Sequence, residues 1–133
     1  MIVYSHQYSQ KALRANAYYP SAPVAQITVC HVKRENRKAT ITALIDSGSD
    51  ATMIPINILQ AVGAKYVETR QVRGLCCSPV DTYLVKIHLG AHSIYGIEAA
   101  AVEPDEETII GRDVLNQLVV ILNGLAEMVE VEQ

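Results

Sequence analysis

The stretch TALIDSGSDATMIP, residues 42–55, places an apolar run directly before Asp46, Ser47 and Gly48 and a second apolar run after Asp50. Asp and Ser bond to nearby backbone and Gly accepts a positive φ, so the triplet by itself is typical of an ordinary tight turn. The alternative is a carboxylate held at the end of a buried strand to do chemistry. Features elsewhere in the chain decide between these two interpretations.

Composition predicts one globular domain that does not bind nucleic acid. The chain has 133 residues, of which 50% are apolar and 19% are charged, which is typical of a single globular domain. Its net charge is −3 at pH 7, whereas binding to phosphate backbones requires a basic surface. The basic cluster KRENRK, residues 33–38, also contains Glu35 and Asn36 and is typical of a solvated hairpin tip.

Cysteine content and hydropathy predict a cytoplasmic protein, and we expect no cofactor. The 3 cysteines, of which Cys76 and Cys77 are adjacent, do not form a disulfide framework, and the N-terminus has no apolar signal segment. No apolar run approaches the ~18 residues that span a bilayer. His88 and His92 lie on a predicted strand and the turn after it, where their spacing does not put both rings on one face, so we expect no metal.

Short runs rich in β-branched residues predict a mostly β domain over residues 24–133. The runs expected to pair as hairpins are VAQITVCHV (24–32) with ATITALI (39–45), and DTYLVKIHLG (81–90) with SIYGIEAAAV (93–102). Near the C-terminus, Asn123-Gly124 lies between two apolar runs and predicts a further hairpin.

Two short helices are expected between the strands. PINILQAVG (55–63) has Pro55 at its start and Gly63 at its end, and RDVLNQL (112–118) is long enough for about two turns. Residues 1–23 scatter tyrosines among polar residues, so we expect an N-terminal arm or linker there.

A second segment changes the interpretation of the Asp-Ser-Gly turn. Residues 108–115 read TIIGRDVL, in which two apolar residues precede Gly111 and a predicted helix. An Asp-[Ser/Thr]-Gly turn followed later by Ile-Ile-Gly-Arg resembles the retropepsins, the aspartic peptidases of the retroviral type. The resemblance covers roughly residues 24–131. It implies a closed β barrel with a β-hairpin flap and an endopeptidase activity.

Peptide hydrolysis of this type needs two carboxylates held so close that one keeps a proton while the other is ionised. The sequence has no second Asp-[Ser/Thr]-Gly, Asp50 belongs to the same loop, and residues 105–107 (Asp-Glu-Glu) are expected to form an exposed acidic turn. The partner of Asp46 is therefore expected from another copy of the chain. This predicts a two-fold symmetric homodimer that acts on a peptide or protein substrate.

The resemblance also implies roles for individual residues. Asp46, Ser47 and Gly48 would form the catalytic loop, with the Ser47 hydroxyl bonding across the dimer axis. Gly111 and Arg112 would brace the dimer, and an ion pair between Arg112 and Asp50 is expected. The residues implied in substrate binding are Ser49, Asp50, Gly74, Leu75 and Ile110.

Ser49 and the flap depart from the pattern of many retroviral members. Ser49 stands where those members have Ala, and a hydroxyl that donates to the Asp46 carboxylate would favour its ionised form, so we predict an acidic activity optimum. The flap corresponds to ETRQVRGLCCSPVDTY, residues 68–83, with the single glycine Gly74 near its tip. The adjacent cysteines there are either small apolar filler or a redox-sensitive pair.

Two alternatives to the enzyme stay open. The chain could keep the fold and the dimer as a catalytically silent module for peptide binding or dimerisation, or it could be a small β domain in which both glycine turns are structural. The bond Tyr19-Pro20 resembles those that retroviral proteases cut to release themselves, but an ordinary linker also explains it. The C-terminal hairpin is expected to contribute strands to the dimer interface.

Overall fold

The computed structural model describes residues 1–11, 18–70 and 79–133, and these residues form ten strands and two short helices. In chain order the elements are β1 (Ile2–Gln7), β2 (Val24–Cys30), β3 (Lys38–Ile45), β4 (Met53–Pro55), α1 (Ile56–Ala61), β5 (Lys65–Arg70), β6 (Val80–Leu89), β7 (His92–Val102), β8 (Ile109–Ile110), α2 (Arg112–Leu115), β9 (Val120–Asn123) and β10 (Met128–Glu132). The prediction of a mostly β fold is confirmed.

Seven of these strands form one sheet in the order β2-β3-β8-β4-β7-β6-β5. The two predicted hairpins are present, because β2 pairs antiparallel with β3 and β6 pairs antiparallel with β7. Since β2 also pairs with β6, the pairings run in a ring that leaves β5 outside. Such a ring is compatible with the predicted closed barrel.

The shortest strand, β8, decides where the site lies. It is inserted between β3 and β4 and runs parallel to β3, with Ile110 beside Ile45. Strands β3 and β8 therefore end side by side. The residues that follow them, Asp46 and Gly111, are brought together although they are far apart in the sequence.

Aliphatic side chains from the strands fill one main core. The largest of the fully buried ones include Ile27, Ile54, Leu59, Ile87, Leu89 and Ile110. Each such burial contributes about 2 kcal/mol. The strands contribute by alternation, as in β2, where the exposed Gln26 separates buried neighbours. Leu59 adds α1 to the same core.

Both predicted helices are present and shorter than expected. In α1, Pro55 is the residue that precedes the first turn. α2 ends at Leu115, after which Gln117 and Leu118 donate to carbonyls three residues back, so the chain continues as tight turns. Neither helix in the described part of the chain is long and apolar enough to cross a membrane.

A second sheet joins the two ends of the chain. β10 lies in the middle and pairs antiparallel with β1 on one side and β9 on the other. The segment predicted as an arm or linker therefore contains a strand, which the polar residues of IVYSHQ concealed. The Tyr4 side chain packs against the main core, and its hydroxyl accepts a hydrogen bond from the Gln26 N–H at 2.8 Å.

The predicted C-terminal hairpin is confirmed, but its turn is longer than an Asn-Gly pair alone requires. Asn123 pairs with Met128, so residues 124–127 form the turn. The Asn123 side chain accepts a hydrogen bond from the Ala126 N–H at 3.1 Å, and the positive φ of 52° lies at Glu127. Asn123 therefore starts the turn through its side chain.

Candidate active site

Asp46 occupies the end of β3, where the pairing with β8 places it. Its N–H donates to the carbonyl of Ile110 at 3.0 Å, which extends the β3–β8 ladder into the loop. Its carbonyl accepts a hydrogen bond from the Ser49 N–H at 3.2 Å, which closes a tight turn. Asp46 is partly buried, whereas Ser47 and Gly48 are exposed. The strand that enters a polar turn thus presents one carboxylate at its tip.

The Asp46 carboxylate is oriented by the backbone of its own loop. The Gly48 N–H donates to Oδ1 of Asp46 at 2.9 Å. A Cβ on Gly48 would lie 3.1 Å from the same oxygen, which is tighter than most real contacts. Glycine therefore lets the backbone donor approach the carboxylate without crowding it.

The Ser49 hydroxyl does not donate a hydrogen bond to the Asp46 carboxylate, contrary to the prediction. Ser49 is buried, and its Oγ donates to the carbonyl of Ala51 at 2.7 Å. A hydroxyl has one proton to donate, so this bond leaves none for the Asp46 carboxylate. An acidic activity optimum therefore does not follow from Ser49.

The expected ion pair between Asp50 and Arg112 is present. Nη2 of Arg112 contacts Oδ1 of Asp50, and Nη1 donates to the Ser47 carbonyl at 2.8 Å. The backbone N–H of Arg112 also donates to the Ser49 carbonyl at 2.9 Å. One residue at the start of α2 thus holds three positions of the Asp46 loop.

Gly111 is required by a close approach of two backbone segments. A Cβ at this position would lie 2.6 Å from the backbone C and O of Ala51 and 2.9 Å from the Ser49 carbonyl. Any side chain would push α2 away from the loop. The sequence placed Gly111 in the family motif, and the contact gives the physical reason for it.

Thr52 and Asp113 also belong to the site, although neither was predicted. Thr52 is fully buried, and its N–H and hydroxyl donate to the two carboxylate oxygens of Asp113 at 3.0 and 2.7 Å. The available signals were a Thr inside the apolar run ATMIP and an Asp in the first turn of a helix, where negative charge is favoured. Both signals are common in unrelated proteins.

Ile110 has no surface to offer a substrate, because it is fully buried in the main core. Ile110 is therefore not placed to contact a substrate, contrary to the prediction. Its neighbour Ile109 is partly exposed and packs with a second, small apolar cluster. The buried members of that cluster are Ala51, Met53 and Ala100.

The base of the predicted flap is an antiparallel hairpin of β5 and β6, in which Arg70 pairs with Val80. The Thr69 hydroxyl on β5 donates to Oδ1 of Asp81 on β6 at 2.7 Å, which links the two strands. The Tyr66 hydroxyl, also on β5, lies 2.7 Å from the same Thr69 oxygen. The predicted tip residues Gly74, Leu75, Cys76 and Cys77 lie outside the described residues. Their roles stay predictions.

Comparison with known proteins identifies the family. The retroviral aspartyl protease family matches residues 21–123, which include the Asp46 loop, the β5–β6 hairpin and the Ile-Ile-Gly-Arg segment. No curated protein matches the chain. The match covers most of the sequence and agrees with the mostly β fold. The chain therefore belongs to the retroviral aspartyl protease family.

Proposed function

We propose that the chain is an aspartic endopeptidase that works as a homodimer, in which two Asp46 carboxylates activate a water molecule. The observation that carries the proposal is the contrast among the acids of the site. Asp46 directly follows β3 and is partly exposed, and its carboxylate accepts a hydrogen bond from the Gly48 N–H of its own loop. The Asp50 carboxylate is ion-paired, and the Asp113 carboxylate accepts hydrogen bonds. Within one copy, the other described acids of the site, Asp50 and Asp113, are already engaged in these contacts. The acid best suited to pair with Asp46 is therefore the Asp46 of a second copy.

In such a dimer the two carboxylates would share one proton, since two like charges at close range do not both ionise. The ionised member would take a proton from the water, which attacks the peptide carbonyl, while the protonated member stabilises the developing oxyanion. The exposed position of Ser47 supports its proposed role in bonding to the partner loop.

The substrate is proposed to lie between the Asp46 loops and the β5–β6 hairpin. Every residue of β5 is exposed, which suits a strand that borders a cleft. The small apolar cluster joins Ala51 of the loop to Val80 at the base of the hairpin. Its partly exposed members, Val80, Val102 and Ile109, favour peptides with an apolar side chain beside the cleaved bond.

The dimer contact is proposed to include the C-terminal hairpin. Leu122 pairs with Val129 and so lies on the same face of the small sheet, yet Val129 is fully buried whereas Leu122 is 51% exposed. The cause is that β9 is an edge strand of that sheet. A second copy packed against β9 would bury Leu122 and cover the open strand edge.

A peptide library incubated with the protein and analysed by mass spectrometry tests the proposal. We expect the wild type to cleave peptide bonds and Asp46→Asn to cleave none, because an amide neither accepts nor releases the shared proton. Asp105→Asn makes the same chemical change in an exposed turn and should retain activity.

Two results would contradict the proposal. Cleavage by Asp46→Asn at the wild-type rate would exclude the carboxylate mechanism. A wild-type dimer that binds pepstatin but cleaves no peptide at any pH tested would instead support the catalytically silent module.

A further inference from the structure

The carboxylate of Asp113 is held in a network that ends on the Asp46 loop. Oδ2 accepts the Thr52 N–H at 3.0 Å. Oδ1 accepts the Thr52 hydroxyl at 2.7 Å and the Val114 N–H at 2.9 Å. Both oxygens are therefore used, and one of them accepts two hydrogen bonds.

Thr52 connects Asp113 to the backbone that precedes α2. Its Oγ1 accepts a hydrogen bond from the Gly111 N–H at 3.2 Å while its own proton is donated to Asp113. The hydroxyl is thus satisfied as donor and as acceptor in a site that is fully buried. A side chain without a hydroxyl would leave the Gly111 N–H without this acceptor.

The network fixes the far end of the loop that carries Asp46. The near end is held by the β3–β8 ladder, in which Ile45 lies beside Ile110. The far end is Thr52, and its own carbonyl accepts the Ala100 N–H at 2.8 Å. Between these two ends the loop is short, so we expect a shift of Thr52 to reach Asp46.

We propose that Asp113 is a positioning residue for the catalytic carboxylate, acting through Thr52. The inference rests on the proposed endopeptidase activity of Asp46. A carboxylate suits this role better than an amide, because it accepts from both the N–H and the hydroxyl of Thr52. With Asn at position 113, one of the two groups would face an N–H donor and lose its acceptor.

Kinetic constants of Asp113→Asn, measured per folded dimer, test the proposal. We expect kcat to fall by about tenfold or more, because small misplacements of reacting groups are costly, and KM to change by less than about twofold. Thr52→Val should reproduce this loss, whereas Thr52→Ser, which keeps the hydroxyl, should retain kcat. An unchanged kcat in Asp113→Asn, with only a lower melting temperature, would overturn the proposal.

Amide hydrogen exchange provides a readout that does not depend on turnover. In Asp113→Asn we expect exchange at the N–H groups of Asp46 and Ser49 to accelerate by about tenfold, while β6 and β7 keep their protection. Acceleration confined to Thr52 and Gly111 would overturn the positioning role, since the change would not reach the loop. If exchange accelerates in Asp113→Asn as expected but the wild type cleaves no peptide, the proposed function is contradicted while the connection from Asp113 to the loop stands.

Discussion

Asp46 combines a rigid backbone with an accessible carboxylate. Its N–H is held by Ile110 and its Oδ1 by the Gly48 N–H, at 3.0 and 2.9 Å. These bonds fix where the carboxylate points and leave it partly exposed. This arrangement is compatible with the proposed pair of carboxylates that share a proton.

Ser49 should matter for stability and not for the pH dependence of activity. Because its hydroxyl donates to Ala51, Ser49→Ala removes one buried hydrogen bond and should destabilise the fold by about 1 kcal/mol. In Ser49→Ala, the pH of half-maximal activity on the acidic side of the profile should be the same as in the wild type. Thermal unfolding and a pH–rate profile measure the two effects. A shift of the profile by a full pH unit would show that Ser49 does bond to Asp46 in the active form.

Sequence patterns predicted the residues whose identity is restricted by chemistry. Asp46, Gly111 and Arg112 were predicted through the resemblance to the retropepsin motifs, in which a carboxylate, a missing side chain and a forked cation have few substitutes. Thr52 and Asp113 were missed because a buried Thr and an Asp in a helical first turn have many ordinary explanations. The partner of the Ser49 hydroxyl was mispredicted because it depends on a side-chain rotamer, which spacing does not encode.

At the scale of elements, α2 functions as a brace for the loop after β3. Three features of this contact are the ion pair of Arg112, the hydrogen bonds of Asp113 and the close approach at Gly111. The helix is only 4 residues long, so its stability has to come from these contacts.

Gly111→Ala tests the close approach. The added Cβ would meet the Ala51 backbone at 2.6 Å, and because backbone atoms cannot rotate away, we expect a loss of about 1–3 kcal/mol in the free energy of unfolding and a marked fall in activity. Gly124→Ala is a matched control, since a Cβ there meets nothing within 4 Å. Chemical denaturation of both variants measures the difference. Equal stability of the two would contradict the contact.

A second pair of elements is joined by the ion pair of Lys86 and Glu35. Lys86 on β6 has a side chain only 5% exposed, and its Nζ contacts the carboxylate of Glu35 at the tip of the β2–β3 hairpin. The hydrogen bond from Lys86, together with its charge, lowers the pKa of Glu35 below its ordinary value of 4.5. The same hydrogen bond raises the pKa of Lys86 above its ordinary value of 10.5.

Glu35→Gln should lower the melting temperature by a few degrees at neutral pH. Because the folded-state pKa of Glu35 is depressed, its contribution is present above pH 4.5 and is lost as the pH falls through the folded-state value. The difference between wild type and variant should therefore shrink in acid. Melting curves from neutral to acidic pH measure it, with Glu103→Gln, an exposed residue, as control. A difference that grows in acid would contradict this sign.

Local patterns predicted the elements that are stabilised locally. The hairpins β2–β3, β6–β7 and β9–β10 were found because period-two alternation and turn residues mark them directly. β1 was missed because it is stabilised by a distant partner, β10, and by the packing of Tyr4 on the core. The insertion of β8 between β3 and β4 was likewise invisible, since two apolar residues carry no pairing information.

For the whole molecule, one chain supplies half of the proposed active site. The small sheet ties both chain ends to the domain and leaves β9 as an edge with exposed apolar residues. These include Ile121 at 37% and Leu122 at 51% exposure. Such an edge is normally protected, and packing against a second copy would protect it.

Leu122→Glu should therefore give a folded monomer without activity, because a charge would be buried in the proposed contact. Leu122→Met conserves volume and should keep the dimer. Sedimentation velocity and circular dichroism separate loss of association from loss of folding. A dimeric and fully active Leu122→Glu protein would exclude β9 from the interface.

The shared active site is tested most directly by mixing wild-type chains with Asp46→Asn chains at constant total concentration and letting subunits exchange. If each site needs an Asp46 from both chains, an equal mixture should retain about one quarter of the activity of pure wild type, since random pairing leaves about that fraction as wild-type dimers. Activity of about one half, in proportion to the wild-type chains, would show that each chain works alone and would contradict the account.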